Sequence, residues 1–186
     1  MEKTKLSFIL KYYNVFHIDD CEGIVSKAGK ATVEDNKPIE EAEKVIGEYL
    51  DRSHLSFVSQ RSNRAYYSPT EDKVVVPLLE QFKTTEQYYS TTFHELVHST
   101  GHQSRLDRKS GMRSFFGSED YSKEELVAEI GSAMICGRLG FETKKTFKNS
   151  VAYLQNWIQV LKNDTKMIVL AASGAEKAAK YILNAE

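Results

Sequence analysis

Residues 91–102 read TTFHELVHSTGH, and this stretch places two histidines, His94 and His98, four positions apart. Residues i and i+4 of a helix project from the same face, so on a helix the two imidazoles can bind one metal ion. Glu95 directly follows the first histidine and can reach a water molecule on that ion. The pattern HExxH is typical of zinc peptidases, in which the glutamate is the general base. Apolar neighbours on both sides of the motif indicate a buried helix, where an unpaired carboxylate would be costly.

A catalytic zinc site also needs a third protein ligand and an open position for water. One candidate is His102, four residues after His98. Three imidazoles at this spacing extend over about 12 Å of straight helix, so His102 could join only if Gly101 ended the helix. The longer pattern HExxHxxGxxH is matched as far as Gly101, but Ser104 stands where its last histidine should be. That pattern therefore fails at a ligand.

The other candidates are carboxylates in KEELVAEIGSA, residues 123–133, which contains Glu124, Glu125 and Glu129. Glu125 and Glu129 are one helical turn apart on one face. We expect Glu125 to be the third ligand and Glu129 to accept a hydrogen bond from the outer nitrogen of a ligand imidazole. In the alternative Glu129 is the ligand, because Ser122 to Glu125 also spells a capping box that would hold Glu125 on the backbone.

The sequence before the motif predicts a helix and a small sheet. Pro38 is suited to the first turn of a helix that ends near Arg52, after a polar loop at 21–37. Aromatic and β-branched residues indicate strands, which we expect to form a small antiparallel or mixed sheet. Their ranges are 7–18, 56–59, 64–67 and 73–77. Pro77 predicts that the last strand ends there or lies at an edge.

The rest of the chain is predicted to be helical. Thr84 and Gln87 fit a capping box for the motif helix, which should end at Thr100 before Gly101. Further helices are expected near 122–140, 150–162 and 165–184. A basic loop at 103–121 separates the first of these from the motif helix. Its run RLDRK at 105–109 is typical of a solvated surface, and the alternative is that it binds a carboxylate or a phosphate. The fold class is therefore α+β, with a small sheet followed by a helical half that carries HExxH.

Composition is that of an ordinary folded protein. The 186 residues are 41% hydrophobic and 27% charged, with a net charge of -1, which gives no argument for nucleic acid or a membrane surface as partner. No apolar run approaches the roughly 20 residues of a membrane span, and the N-terminus does not resemble a signal peptide. Cys21 and Cys136 are expected to be reduced thiols of a cytoplasmic protein.

Two stretches together carry a family resemblance: FHELVHSTGHQSRLDR at 93–108 and FGSEDYSKEELVAEIGSA at 116–133. They resemble the C-terminal zincin-like metallopeptidase domain of ArdC-type antirestriction proteins, which is also found in TraC-type plasmid primases. Four more segments are similar to the first strands and last helices of that domain, so the likeness covers most of the chain. These segments are residues 12–24, 65–77, 152–164 and 171–182.

The resemblance implies a site with two histidines, a downstream glutamate and one zinc ion per chain. Members carry a separate N-terminal domain that binds single-stranded DNA, and this chain leaves almost no room for it. We therefore expect a single zincin-like metallopeptidase domain at 1–186, linked to DNA only through a missing domain or a partner.

The function expected from these residues is zinc-dependent peptide hydrolysis, in which metal-activated water attacks a peptide or protein substrate with Glu95 as base. The alternative is a non-proteolytic antirestriction module of a mobile element that retains the metal site. If the strand near the motif pairs with an extended substrate, Tyr66 or Tyr67 lies in the cleft and could stabilise an oxyanion. The competing interpretation is that both tyrosines serve only packing.

Overall fold

A computed structural model of the chain describes residues 36–108, 119–141 and 165–185. All of them belong to the unit that spans Val33–Glu186. The strands expected at 7–18, the helix expected at 150–162 and most of the basic loop lie outside the described residues.

The first helix, α1, is Glu40–Ser53, close to the range predicted from Pro38. Acidic residues occupy its first turn, where their negative charge interacts favourably with the positive end of the helix dipole. Its apolar stripe buries Ala42, Ile46 and Tyr49. The helix ends at His54, which is in the left-handed conformation (φ 53°) and returns its amide to the Leu50 carbonyl.

Three strands form a small sheet: β1 (Ser56–Gln60), β2 (Tyr66–Ser68) and β3 (Lys73–Pro77). Their order is β1-β3-β2, with β2 antiparallel and β1 parallel to β3. The sheet is therefore mixed, one of the two arrangements expected, and β3 is central among the described strands. The burial of β3 agrees with this central position. The three consecutive valines of β3 are buried, a pattern typical of a strand covered on both faces.

The helical half begins with α2 (Thr85–Thr100), which carries the motif between the predicted ends. The Thr84 hydroxyl accepts a hydrogen bond from the Gln87 amide (3.3 Å), so the predicted N-terminal cap is present. Next come α3 (Glu119–Arg138) and α4 (Thr165–Leu183). Helix α3 begins at Glu119, three residues before the start expected near residue 122.

Helices α2 and α3 approach closely at Gly131 of α3. A Cβ atom on Gly131 would lie 2.9 Å from Cγ2 of Val97, a distance that Cβ atoms essentially never show. Val97 is fully buried one residue before His98. Glycine at this position therefore sets the spacing between the helix of the histidines and the helix of the carboxylates.

The core lies between the sheet and the helices. Its largest fully buried side chains, at less than 2% exposure, are Tyr49, Tyr89, Phe93, Leu96, Leu126, Ile135, Met167, Ile182, Val74, Val75, Val76 and Val97. The predicted α+β class, a small sheet followed by helices, is confirmed. Within the described ranges no helix combines the length and the apolar character needed to cross a membrane.

Candidate metal centre

Helices α2 and α3 bring His94, His98 and Glu125 together. The Nε2 atoms of the two histidines are 3.1 Å apart. Glu125 faces both, with Oε2 at 3.6 Å from His94 Nε2 and Oε1 at 3.5 Å from His98 Nε2. One ligand atom from each of the three residues lies within 4.8 Å of the others. The helical spacing of the motif thus aims two nitrogens at the same carboxylate.

These separations match the spacing of ligands around one ion. Zinc ligands lie about 2.0–2.2 Å from the metal at tetrahedral angles, so neighbouring ligand atoms are about 3.3–3.5 Å apart. The observed separations of 3.1, 3.5 and 3.6 Å fall around this value. Imidazole nitrogen and carboxylate oxygen are also ligands that suit zinc and neighbouring divalent metals. The three residues therefore fit a divalent ion by both geometry and donor type.

Each histidine has a further carboxylate facing its other ring nitrogen. Glu129 Oε1 is 3.6 Å from Nδ1 of His94, and Glu124 Oε1 is 3.6 Å from Nδ1 of His98. All three carboxylates come from KEELVAEI on α3. Ser122 lies inside this helix, three residues after its first residue, rather than at its N-terminus. Glu125 lies where we expected the third ligand, and Glu129 lies where we expected the outer carboxylate.

Glu95 is buried on α2, with 8% of its surface exposed. Burial raises its pKa above the ordinary value, and the nearby Glu125 charge acts in the same direction. The charges of His94 and His98, and the nearby backbone of Tyr67, partly oppose this rise. A carboxylate in this setting can take up a proton more readily than one in water.

Neighbouring charged groups also shift the pKa values of His94 and Glu124. Burial alone would lower the pKa of His94, but Glu125, Glu95 and Glu129 outweigh it and the net shift is upward. Burial alone would raise the pKa of Glu124, but His98 and Arg108 outweigh it and the net shift is downward. Glu124 is therefore held as an anion although it is 7% exposed.

Arg108 forms a fork on Glu124. Its Nε donates to Oε2 (3.1 Å) and its Nη2 donates to Oε1 (2.6 Å). The same guanidinium donates to the hydroxyl of Thr100 (2.6 Å) and to the carbonyl of Val97 (2.8 Å), both in the last turn of α2. Arg108 thus connects α3 to the end of the histidine helix.

Arg105 forms a second, separate network. Its side chain is 1% exposed and pairs with Asp72 through both terminal nitrogens. It also donates to the carbonyls of Ser99 (2.7 Å) and Ser53 (3.3 Å), which lie near the ends of α2 and α1. Hydrogen bonds from Arg105 and from the Tyr67 hydroxyl outweigh the effect of burial on Asp72 and lower its pKa.

The remaining predicted residues lie apart from the three ligand candidates. Nδ1 of His102 is 2.8 Å from the Ser104 hydroxyl, and His102 is not in the group of His94, His98 and Glu125. The Tyr67 hydroxyl donates to Asp72 (2.7 Å), so its proton is already used there. The ring of Tyr66 is 43% exposed on β2.

Sequence reasoning missed the roles of three residues, Arg105, Arg108 and Glu124. The run RLDRK was interpreted as a solvated surface, yet its two arginines reach inward to the end of α2. A signal was present, because cationic side chains after a helix can bond its last carbonyls. Glu124 was named as a candidate, but nothing in the sequence showed that Arg108 would bind it.

Comparison with known proteins gives one family throughout. The family model described as zincin-like metallopeptidase matches residues 43–174. Two DNA primases named TraC from Escherichia coli are 39% identical over 134 residues, or 72% of this chain, and 42% identical over 121 residues, or 65%. The protein y4eC of Sinorhizobium fredii is 35% identical over 120 residues, or 64% of the chain.

Two solved structures of a plasmid antirestriction protein, ArdC, also match. The Mn(II)-bound structure has 34% sequence identity and a TM-score of 0.62, and the metal-free structure has 33% and 0.60. Each alignment covers 92% of this chain. The chain spans only 9% and 11% of the TraC primases, 38% of y4eC, and 61% and 60% of the two ArdC chains.

Proposed function

Because this chain belongs to the zincin-like metallopeptidase family, we propose that it is a zinc-dependent hydrolase of peptide bonds. The observation that carries the proposal is the convergence of His94, His98 and Glu125 at 3.1–3.6 Å. A convergence of this kind beside a buried glutamate is what metal-assisted hydrolysis requires. The Mn(II) in the ArdC structure supports a divalent ion at this site.

In the proposed enzyme His94 and His98 bind the ion through Nε2 and Glu125 binds it through its carboxylate. When bound, the ion supplies a Lewis acid that polarises the scissile carbonyl and makes water more acidic. Glu129 and Glu124 accept from Nδ1 of the histidines, which keeps each Nε2 lone pair directed at the ion. The approach of 3.6 Å on both sides supports these roles.

Glu95 is the proposed general base. Its carboxylate takes a proton from the attacking water while the water oxygen bonds to the peptide carbon. It then gives this proton to the amide nitrogen as the carbon–nitrogen bond breaks and the amine leaves. The raised pKa supports this cycle, since it makes the Glu95 carboxylate a better proton acceptor than an ordinary carboxylate.

We place the substrate along β2, which is at an edge of the three described strands. An extended peptide can bind such an edge by adding a strand. The backbone of Tyr67 influences the pKa of Glu95, which supports a position of this strand beside the proposed base. Tyr66, exposed on the same strand, is then the tyrosine of the cleft.

Metal content and peptide cleavage, measured on one preparation, test the proposal. We expect about one zinc ion per chain, and none after His94→Ala with His98→Ala, because both nitrogen ligands are then lost. Glu95→Gln should keep the metal and lose cleavage, because an amide cannot accept the proton. His102→Ala is the matched control and should change neither. Full cleavage by Glu95→Gln would remove the base, and unchanged zinc in the double variant would remove the site.

A second candidate is a non-proteolytic antirestriction module that keeps the metal site, supported by the likeness to ArdC. Such a module would bind a DNA-associated partner and would not cleave a peptide bond. The two candidates differ in their need for a base. If Glu95→Gln protects incoming plasmid DNA from restriction as well as wild type does, the antirestriction module is favoured. If protection requires Glu95, hydrolysis is favoured.

A further inference from the structure

Glu124 is more deeply buried than Glu129, the carboxylate that faces His94. The Glu124 side chain is 8% exposed, whereas the Glu129 side chain is 28% exposed. A carboxylate that is nearly removed from water needs a charged partner or several donors to remain where it is. Arg108 supplies two donors to Glu124, one on each oxygen. The oxygen bonded by Nη2, Oε1, is also the one that faces Nδ1 of His98.

We propose that Arg108 is a positioning residue for the metal centre, acting through Glu124 on His98. Its guanidinium fixes the Glu124 carboxylate relative to the last turn of α2, and the carboxylate in turn keeps the proton of His98 on Nδ1. The Nε2 lone pair of His98 is then directed at the ion. This inference rests on the proposed metal site and adds to it a residue from outside both helices.

The reach of Arg108 supports a positioning role rather than simple charge balance. Beyond Glu124, it bonds the carbonyl of Val97, the residue directly before His98, and the hydroxyl of Thr100. Its own backbone amide donates to the Gly101 carbonyl (3.0 Å), which fixes the start of the side chain. One rigid planar group therefore spans the carboxylate helix and the histidine helix at the metal site.

Lysine could not replace this group. An ammonium is a compact point charge and lacks the planar fork that holds both carboxylate oxygens at once. The acceptors of Arg108 lie on two helices, so a single ammonium would have to abandon some of them. Arg108→Lys should therefore keep the charge and lose part of the positioning.

Arg105 provides a matched control within the same loop. It also bonds a carboxylate, Asp72, and a carbonyl near the end of α2, that of Ser99. Among the described residues no ion pair joins the Asp72 carboxylate to His94 or His98, whereas the Glu124 carboxylate faces His98. Loss of Arg105 should therefore destabilise the fold without the specific effect on metal binding.

The test is zinc affinity of the full chain, measured by competition with a chromophoric chelator, with unfolding followed in parallel. Arg108→Gln and Glu124→Ala should each weaken Zn²⁺ binding by about 10–100-fold, as loss of an outer partner does. In the Glu124→Ala background, Arg108→Gln should change the affinity by no more than about twofold, because its path is already cut. Arg105→Gln should lower stability and leave the affinity within about twofold of wild type.

The outcomes separate the inference from the proposed function. A wild-type chain that binds no Zn²⁺ overturns both. If the wild-type chain binds Zn²⁺, either of two results overturns the inference alone. One is that Arg108→Gln binds Zn²⁺ no more weakly than Arg105→Gln. The other is that Arg108→Gln weakens binding equally in the wild-type and Glu124→Ala backgrounds. If Arg108→Gln does not fold, Arg108→Lys carries the test: an intermediate affinity supports the role and wild-type affinity overturns it.

Discussion

Replacing Gly131 with alanine should loosen the metal site by separating two helices. The added Cβ would meet Cγ2 of Val97 at 2.9 Å and Cγ1 at 3.1 Å. Val97 is fully buried, and a β-branched side chain in a helix has one strongly preferred rotamer, so it cannot turn away cheaply. The helices must therefore move apart, and with them the carboxylates of α3 and the histidines of α2.

The magnitude follows from comparison with Gly137 on the same helix, where an added Cβ would meet nothing within 4 Å. Gly137→Ala should stabilise the protein by about 0.5–1 kcal/mol through helix propensity alone. Gly131→Ala gains a similar amount but carries an overpacking cost of about 1–3 kcal/mol. The two variants should therefore differ by about 1–3 kcal/mol in free energy of unfolding.

Urea unfolding of the chelator-treated protein measures this difference, and zinc competition measures its effect on the site. We expect Gly131→Ala to bind Zn²⁺ more weakly than wild type and Gly137→Ala to bind equally well. Adding Val97→Ala to Gly131→Ala should recover part of the lost stability relative to the sum of the single changes. Equal stabilities for Gly131→Ala and Gly137→Ala would refute the reasoning, because both would then be governed by propensity.

Two further predictions follow from the site and its surroundings. Glu125→Ala should abolish stoichiometric zinc, whereas Glu129→Ala should retain zinc with about 10–100-fold weaker affinity; zinc on Glu125→Ala but not on Glu129→Ala would reverse the two roles. Asp72→Asn, which keeps the shape and tolerates the left-handed backbone (φ 45°), should cost about 1–3 kcal/mol at neutral pH by leaving buried Arg105 unpaired. Because the pKa of Asp72 is lowered in the fold, this stabilising contribution is present above its unfolded pKa of about 3.9. The difference from wild type should shrink as the pH falls through the folded pKa, and a constant difference down to pH 2 would contradict the assignment.

Much of the fold could be predicted because its signals are local. The cap at Thr84, the stop before Gly101 and the apolar stripe of α1 are patterns within one or two turns, and the structure has them where expected. Which strand of the mixed sheet pairs in parallel was not predicted, since the parallel pairing of β1 with β3 depends on how the chain between them crosses the sheet. Three adjacent valines predicted a strand but not its neighbours.

The metal site, like the fold, could be predicted where its signals are local in sequence. The i, i+4 spacing of His94 and His98 predicts that they share a face, and they do. The start of α3 was misplaced because SKEE fits a capping box, although the helix begins at Glu119. The contacts of Arg105 and Arg108 join residues far apart in the fold, and only the packed structure shows that a basic run is directed inward.

The two arginines have a consequence for local stability. His98 stands in the final turn of α2, and terminal turns commonly fray because their last carbonyls lack helical partners. Here the carbonyls of Val97 and Ser99 accept from Arg108 and Arg105, and that of Thr100 accepts from the Leu106 amide. Opening this turn would also break two ion pairs, to Asp72 and Glu124. The last turn of α2, which carries His98, should therefore open only when the core unfolds. Its amide hydrogens should exchange with solvent as slowly as those of the core, and not at the faster rate of a frayed helix end.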